Sequence, residues 1–528
     1  MIRIIDFIKK EKLAVLFTIA SFAICISWSL YTNQIWEDFF ITYRHSQNLL
    51  EGNGLVYMPG ERVHGFTSPL GVLLPAVCGL ISGPRNYIAA IWLFRLLFCI
   101  PAFTMGGILL MKCFKEEGKS FPIPAIFAGI LYLLESKSIE FSMNGMETSL
   151  MLLFLAWTFY IYRYGFTTYW LAAGIAWAGL MWTRPDSFLY IGTIIVCGFF
   201  FRESGAMKYI STVLKAASVT TVLYLPWFVW AWVYYGSPIP NTILAKGASP
   251  MPYDLISMLL KPYHYFLALM AAVFAPSYFS PPTWPPYVFW FCLVMGILVF
   301  IYWTFFFLKD RFCRMLSLIF FFMSFYLSSI PVCYSWYLPP VALIGIFVTI
   351  SAVWLLPERF MKDKEQARRL SIFFYSFMAV SFAMIFGMMT YMEKIRQTVV
   401  EDGTRKQIGL WLKANTAKND RIYLECLGYI GYFAERKMLD YPGLATPEVT
   451  EILKTHKRNF FTIPEILKPE WIVLRYFESE KFNRYKYFRE QYTQVAEFNS
   501  LGFSNLYGYV PGENNIYYDS WFIIYKRK

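Results

Sequence analysis

Two adjacent carboxylates, Glu37 and Asp38, stand directly after an apolar run that ends near residue 31, and Arg44 follows six or seven residues later. Acids at a membrane boundary are rare unless they are paired or used. Used, such a carboxylate is a general base that takes a proton from an acceptor hydroxyl, a role contributing roughly 10² to 10⁴ in rate. Paired, Glu37 stabilises a helix start and bridges to Arg44. Other polar side chains fall in a few short stretches. Glu61 and His64 share the loop after Asp38, together with His45, and Glu147 closes ESKSIEFSMNGME. Arg184 and Asp186 flank Pro185 in TRPD, and Asn241 and Lys246 lie in YYGSPIPNTILAKG. Each also has a plain structural reading: a loop ion pair for Arg184 and Asp186, a helix-dipole carboxylate for Glu147, a turn residue for Asn241 and a lysine snorkelling to head groups for Lys246. No cofactor is required by these residues. No His/carboxylate spacing demands a metal, which leaves dependence on a divalent ion open.

The elements that carry these residues are set by composition. The chain has 528 residues, of which 57% are hydrophobic and 20% aromatic but only 16% charged, and its mean hydropathy is +0.43. A soluble fold of this length has no place to bury so much apolar surface, so lipid is part of its solvent. The net charge of +13 does not indicate a nucleic-acid partner, because lysines and arginines cluster beside the ends of apolar runs, where topology signals belong. The nine cysteines are scattered singly and form neither a disulfide framework nor a zinc spacing. Arg3, Lys9, Lys10 and Lys12 precede the first apolar run, from about residue 13 to 30, which reads as an uncleaved anchor with a cytoplasmic N-terminus.

Eleven runs are expected to span: 13–31, 87–111, 121–135, 146–162, 168–183, 187–201, 211–233, 285–307, 314–330, 337–356 and 370–392. Two shorter runs with Pro and Gly, 67–82 and 264–279, are read as re-entrant or interfacial. This count puts the basic loops KCFKEEGK, FRESGAMK, LKDRFCR and PERFMKDKEQARR on the cytoplasmic side. The loop 32–86 and the stretches holding Glu147, Arg184 and Asn241 then face one another outside. Beyond residue 393 the pattern becomes water-soluble, with an amphipathic helix near 396–414 and strands near 421–425, 471–476 and 516–525. The expected architecture is a polytopic α-helical membrane domain over 1–393, with about eleven transmembrane helices plus interfacial ones, and an extracytoplasmic C-terminal α/β domain over 394–528. In that domain, Lys481, Arg484, Lys486 and Arg489 alternate with Tyr485, Tyr487, Phe488 and Tyr492. They suggest either an acceptor-glycan surface or an amphipathic helix on anionic lipid.

The first loop resembles D-D-x-[FY]-I-x-x-R-Y followed by G-x-G-x-x-[FY]-x-P-G-E-R-V-x-G-[FY]-T. The matching residues are Asp38, Phe40, Ile41, Arg44, Gly52, Gly54, Pro59, Gly60, Glu61, Arg62, Val63, Gly65, Phe66 and Thr67, with Glu37 in place of the first Asp and His45 in place of the Tyr. NGMET, TRPD, YYGSPIPNTILAK, IGLWLKANT, YIGYF and LDYPGL follow in order. The pattern is similar to that of the GT-C membrane glycosyltransferases, in particular the group containing the mycobacterial terminal arabinofuranosyltransferase. The resemblance implies an inverting transferase of the bacterial inner membrane. It would take a sugar, arabinofuranose first, from a polyprenyl-phosphate donor to a glycan, glycolipid or surface-protein acceptor outside the cell. It implies Asp38 as base with Glu37 as alternative, and Arg44, Glu61, His64, Glu147, Arg184, Asp186, Asn241 and Lys246 around the substrates. Arg184 and Lys246 would face the donor phosphate, whose charge grows as the sugar leaves. The rivals are a transporter or flippase of a lipid-linked glycan, disfavoured by the lack of repeats and of charges within the spans, and a noncatalytic envelope-assembly protein of the same fold.

Overall fold

The computed structural model describes residues 11–114, 123–247, 255–277, 279, 283–330, 332–456 and 460–528, with side chains described outside 246–247 and 255–264. Among these, seven helices are long and apolar enough to cross a membrane: Lys12–Thr32, Tyr87–Lys112, Ala206–Tyr235, Pro286–Thr304, Arg311–Ser329, Pro339–Phe360 and the start of Lys364–Asn415. They expose large apolar side chains such as Val222, Val233, Trp290 and Phe373 to the surroundings, as lipid-facing helices do. Their inner faces close on Phe94, Phe103, Tyr132, Trp177 and Phe347.

The other expected spans are also helical but shorter. Ile123–Leu134, Trp170–Thr183 and Ser187–Phe200 have 12, 14 and 14 residues, and Thr148–Gly165 has 18. At 1.5 Å per residue, a 14-residue helix reaches about 21 Å, short of the ~30 Å hydrocarbon layer. Hydropathy runs merge a helix with its apolar flanks, which is why these runs read longer in the sequence. Of the two doubtful runs, 67–82 contains the 13-residue helix Leu70–Ser82, and 264–279 falls mostly on the end of Leu255–Phe274.

The C-terminal part holds one five-stranded sheet, order β2-β1-β3-β5-β4, with β1 at Arg421–Leu424, β2 at Lys437–Asp440, β3 at Trp471–Arg475, β4 at Tyr492–Asn499 and β5 at Trp521–Arg527. β2, β1 and β3 run parallel, and β5 pairs antiparallel with both β3 and β4. β2 and β4 are the two strands that escape the sequence pattern, and both lie at the edges of the sheet. The aromatic-basic stretch after Lys481 turns Phe488 and Tyr492 into the domain. Phe488 stacks on Phe482 with ring centres 4.1 Å apart, and Phe488 and Tyr492 are buried in the domain core, while Lys486 and Arg489 point outward.

No linker separates the two parts. The helix Lys364–Arg396 continues through a π-helical stretch, Gln397–Arg405, into Lys406–Asn415, so the boundary expected at 393/394 falls inside an unbroken helix. The π stretch sets Arg405 at the join, 3% exposed. Its guanidinium bridges Glu37 at 2.5 Å, Glu401 at 2.8 Å and Asp519 at 2.9 Å. Glu37 also accepts a hydrogen bond from the Gly428 N–H at 3.2 Å. A Cβ on Gly428 would lie 2.2 Å from the Glu37 carbonyl oxygen, so only glycine permits this approach. Arg475 grips the second Asp519 oxygen at 2.6 Å. Burial alone raises the Asp519 carboxyl, but Arg405 and Arg475 more than reverse this and hold it well below the usual carboxylate range. Tyr57 Oη to the Leu427 carbonyl and Tyr429 Oη to the Ile35 carbonyl, both 3.1 Å, complete the seam.

Removing the guanidinium leaves three carboxylates facing one another in a buried site. Arg405→Met is expected to destabilise the protein by about 3–5 kcal/mol, read as a lowered melting midpoint of the detergent-purified chain, and an unchanged midpoint would show that the cluster does not hold the two parts together.

Candidate active site

Asp38 lies in the first turn of the helix Glu37–Leu50, beside Glu37. Neighbouring helix residues point about 100° apart, and here they part company: Glu37 turns into the Arg405 cluster, and Asp38 lines a cavity with Thr42, Ser68, Glu147, Arg184, Thr242 and Trp336. The Glu37–Arg44 bridge, the structural alternative to a general base, does not form, since Arg405 takes that place. The helix start is held by the NGMET segment, whose Asn144 carbonyl accepts from the Trp36 N–H at 2.8 Å. Gly145 in that segment has φ +101°, and a Cβ there would meet the Phe39 ring at 2.6 Å. Its glycine thus serves both the turn and the close seat of the residue next to Asp38.

Glu147 precedes the helix Thr148–Gly165, but its side chain makes no capping bond. It turns to Arg184 instead, at 3.6 Å. Arg184 in turn clamps Asp186 through Nε at 3.0 Å and a terminal nitrogen at 3.1 Å, and its guanidinium lies 4.9 Å over the Tyr337 ring. Burial pushes the Glu147 carboxyl up, and Arg184 only partly offsets it. The loop ion pair read from TRPD is therefore present, and the same arginine lines the cavity. The cavity measures about 60 Å³, space for a few waters and well under the ~300–1,000 Å³ of typical ligand sites.

The other expected site residues serve the walls. Glu61 pairs with Lys437 of β2 at 2.5 Å. The Asn241 side-chain amide donates to the Gly443 and Leu444 carbonyls at 2.7 and 3.1 Å, tying its loop to LDYPGL, while its backbone N–H donates to the His64 carbonyl at 2.9 Å. His64 is buried and stacks on Tyr235 at 4.5 Å; burial lowers its imidazole to about 3 and that of His45 to about 4, so both are neutral. Arg44 does not line the cavity, and its Nε is buried without a hydrogen-bond partner. The Lys246 side chain lies outside the described residues. Trp336, Tyr337, Thr242 and Leu444 were not singled out in the sequence. YSWY, between two apolar runs, is the signal for Trp336 and Tyr337, masked by the abundance of aromatics elsewhere. Among the described residues no group of three His, Cys, Asp or Glu stands together as a metal site.

These features define a polytopic membrane protein with a GT-C-type fold, whose carboxylate-lined cavity sits where the membrane domain meets the C-terminal α/β domain. By fold, the chain is similar to the archaeal oligosaccharyltransferase AglB from Archaeoglobus fulgidus, in complex with an inhibitory peptide and a dolichol-phosphate, with a TM-score of 0.57 at 14% identity over 94% of this chain and 74% of that one. It is also similar to ArnT from Cupriavidus metallidurans bound to undecaprenyl phosphate, with a TM-score of 0.53 at 11% identity over 97% and 98%. By sequence it is similar to the terminal beta-(1->2)-arabinofuranosyltransferase of Mycobacterium tuberculosis, 26% identical over 304 residues, 51% of this chain and 46% of the relative. The protein of the same name in Corynebacterium glutamicum is 27% identical over 272 residues, 46% of this chain and 38% of the relative. The chain thus spans under half the length of these curated relatives. Residues 392–525 match a family described as a domain of unknown function, DUF8728.

Overpacking at Gly145 would disturb the seat of Asp38. Gly145→Ala is expected to cost about 1–3 kcal/mol, and an unchanged thermal melting curve would show that the Phe39 contact has room to yield.

Proposed function

We propose that the protein is an inverting glycosyltransferase that moves a sugar, arabinofuranose first, from a polyprenyl-phosphate donor to an envelope glycan, lipid-linked glycan or surface protein on the outer face of the cytoplasmic membrane. The observation that carries this reading is the division of labour between the paired acids: Glu37 is consumed by Arg405 and the Gly428 N–H, and Asp38 opens on the cavity beside Glu147 and Arg184. The relatives' names support the sugar and the reaction class. The lipid phosphates bound by the two proteins of similar fold support the donor class.

In this reading Asp38 takes the proton of the acceptor hydroxyl as its oxygen attacks the anomeric carbon. The bond from that carbon to the phosphate oxygen breaks, its electron pair stays on the lipid phosphate, and the configuration inverts. The proton on Asp38 then passes to solvent. Arg184 is already paired with Asp186 and Glu147, so its service to the phosphate requires these carboxylates to yield part of its guanidinium. The small cavity means that loading a sugar includes opening a wall, of which Trp336 and Leu444 are parts. Arg163, Lys309, Arg359 and Lys364 gather with Asp310 and Glu358 at a different cavity, and this excess of basic residues, through the positive-inside bias, supports an outer position for Asp38 and the C-terminal domain.

Transfer of labelled sugar from polyprenyl-phosphate arabinofuranose in proteoliposomes, with and without divalent cation, tests this. Asp38→Asn is expected to lower the transfer rate by about 10² to 10⁴ with donor binding retained, and Glu37→Gln to act mainly on stability. Equal rates for Asp38→Asn and wild type would remove the base assignment. Donor crossing the bilayer without transfer would favour a flippase, and folded protein inert with every donor would favour a noncatalytic role.

A further inference from the structure

A second cavity lies at the helix ends opposite the Asp38 pocket. The helix Ser187–Phe200 starts beside Asp186 and ends at this cavity, and the helix Arg311–Ser329 starts at it and runs back toward the Tyr334–Tyr337 loop. At 1.5 Å per residue these 14 and 19 residues rise about 21 and 28 Å, and only the longer approaches the ~30 Å hydrocarbon thickness. The cavity measures about 470 Å³. Its walls are aromatic, with Phe201, Trp303 and Phe306, and its charged lining is Arg202, Arg311 and Arg314, with no carboxylate.

Arg314 forms the floor, 9% exposed, and exposed Arg311 stands at the mouth. Arg314 Nε donates to the Trp303 carbonyl at 3.1 Å, and the guanidinium lies 4.5 Å over Phe306 and 5.5 Å over Phe201. No carboxylate among the described residues lies within ion-pair distance of any of the three arginines. Asp310, adjacent in sequence, turns away: it accepts from the Cys313 N–H at 3.2 Å, bonds Ser351 and faces Arg163 at 3.9 Å. A buried cation without a counter-ion is costly, and three guanidinium forks in one cavity match the oxygens of a phosphate.

We propose that this cavity binds the phosphate of an anionic phospholipid in the leaflet opposite the Asp38 pocket. The arginines match the phosphate charge, and the aromatic walls at the membrane boundary match the glycerol and the first methylenes of the acyl chains, which a soluble phosphate compound does not have. A leaflet rich in acidic lipid attracts basic side chains in general; the buried Arg314 adds a defined seat. This site stands independently of the transferase reading.

The test is native mass spectrometry of the full chain in detergent, titrated with phosphatidylglycerol, phosphatidylcholine or soluble glycerol phosphate. Wild type is expected to retain phosphatidylglycerol over phosphatidylcholine. Arg314→Ala, Arg311→Ala and Arg202→Ala are each expected to lower phosphatidylglycerol retention about fivefold, the weight of one basic side chain at an anionic surface, with phosphatidylcholine unaffected. Arg85→Ala, at an exposed residue paired with Glu51, is the control and is expected to change nothing. If Arg314→Ala does not fold, the exposed Arg311→Ala and the partly exposed Arg202→Ala carry the same reading with melting unchanged. Equal retention of the two lipids, or wild-type retention in the folded arginine variants, overturns the proposal. Displacement of phosphatidylglycerol by glycerol phosphate at matching concentration assigns the cavity to a soluble phosphate compound and overturns the lipid.

Discussion

One buried guanidinium orders most of this molecule. Arg405 sits where a single helix passes from the membrane domain into the α/β domain, and its three carboxylate partners come from the first loop, the same helix and the last turn before β5. A charge so enclosed is tolerable only when its partners are all in place, so the cluster acts as a register mark between the two parts. It also aims Asp38. Adjacent residues on a helix diverge by about 100°, and once Glu37 is committed to Arg405, the next carboxylate is turned toward the cavity.

The cavity is built from pieces that have no sequence neighbourhood. A helix N-terminus supplies Asp38, a tight turn at Gly145 leads into Glu147, the loop between two short helices supplies Arg184, and a loop of the α/β domain supplies Leu444. Several residues that read as ligands act as fasteners between these pieces: Glu61 through Lys437, and Asn241 through the Gly443 and Leu444 carbonyls. The α/β domain is thus a wall of the site, which is consistent with the unbroken helix that carries it.

The Asp38 cavity and the arginine-lined cavity differ in kind. Carboxylates gather in the Asp38 cavity and satisfy its arginine, whereas the cavity at the opposite helix ends is lined by three arginines and no acid. The difference follows from which loops meet at each set of helix ends, because a short loop delivers its charges to one face only.

Much was legible in the sequence. Hydropathy runs marked the helices of the membrane domain, the order of polar loops grouped Glu147, Arg184 and Asn241 on one face with Asp38, and alternation marked β1, β3 and β5. These are local patterns, set by the 3.6- and 2-residue periods of the backbone and by the cost of charge in lipid. The partner of Glu37 was not legible: Arg44 is near in sequence, yet Arg405 holds it, because ion pairing follows distance in space. The true lengths of Ile123–Leu134 and Trp170–Thr183, the short strand β2 and the edge strand β4 were hidden for a related reason, since packing against neighbours ended or completed them. Composition and periodicity determined the membrane architecture and the candidate acids; which acid faces the cavity, what neutralises Arg184 and which arginines are left without a counter-ion were decided only when distant segments packed together.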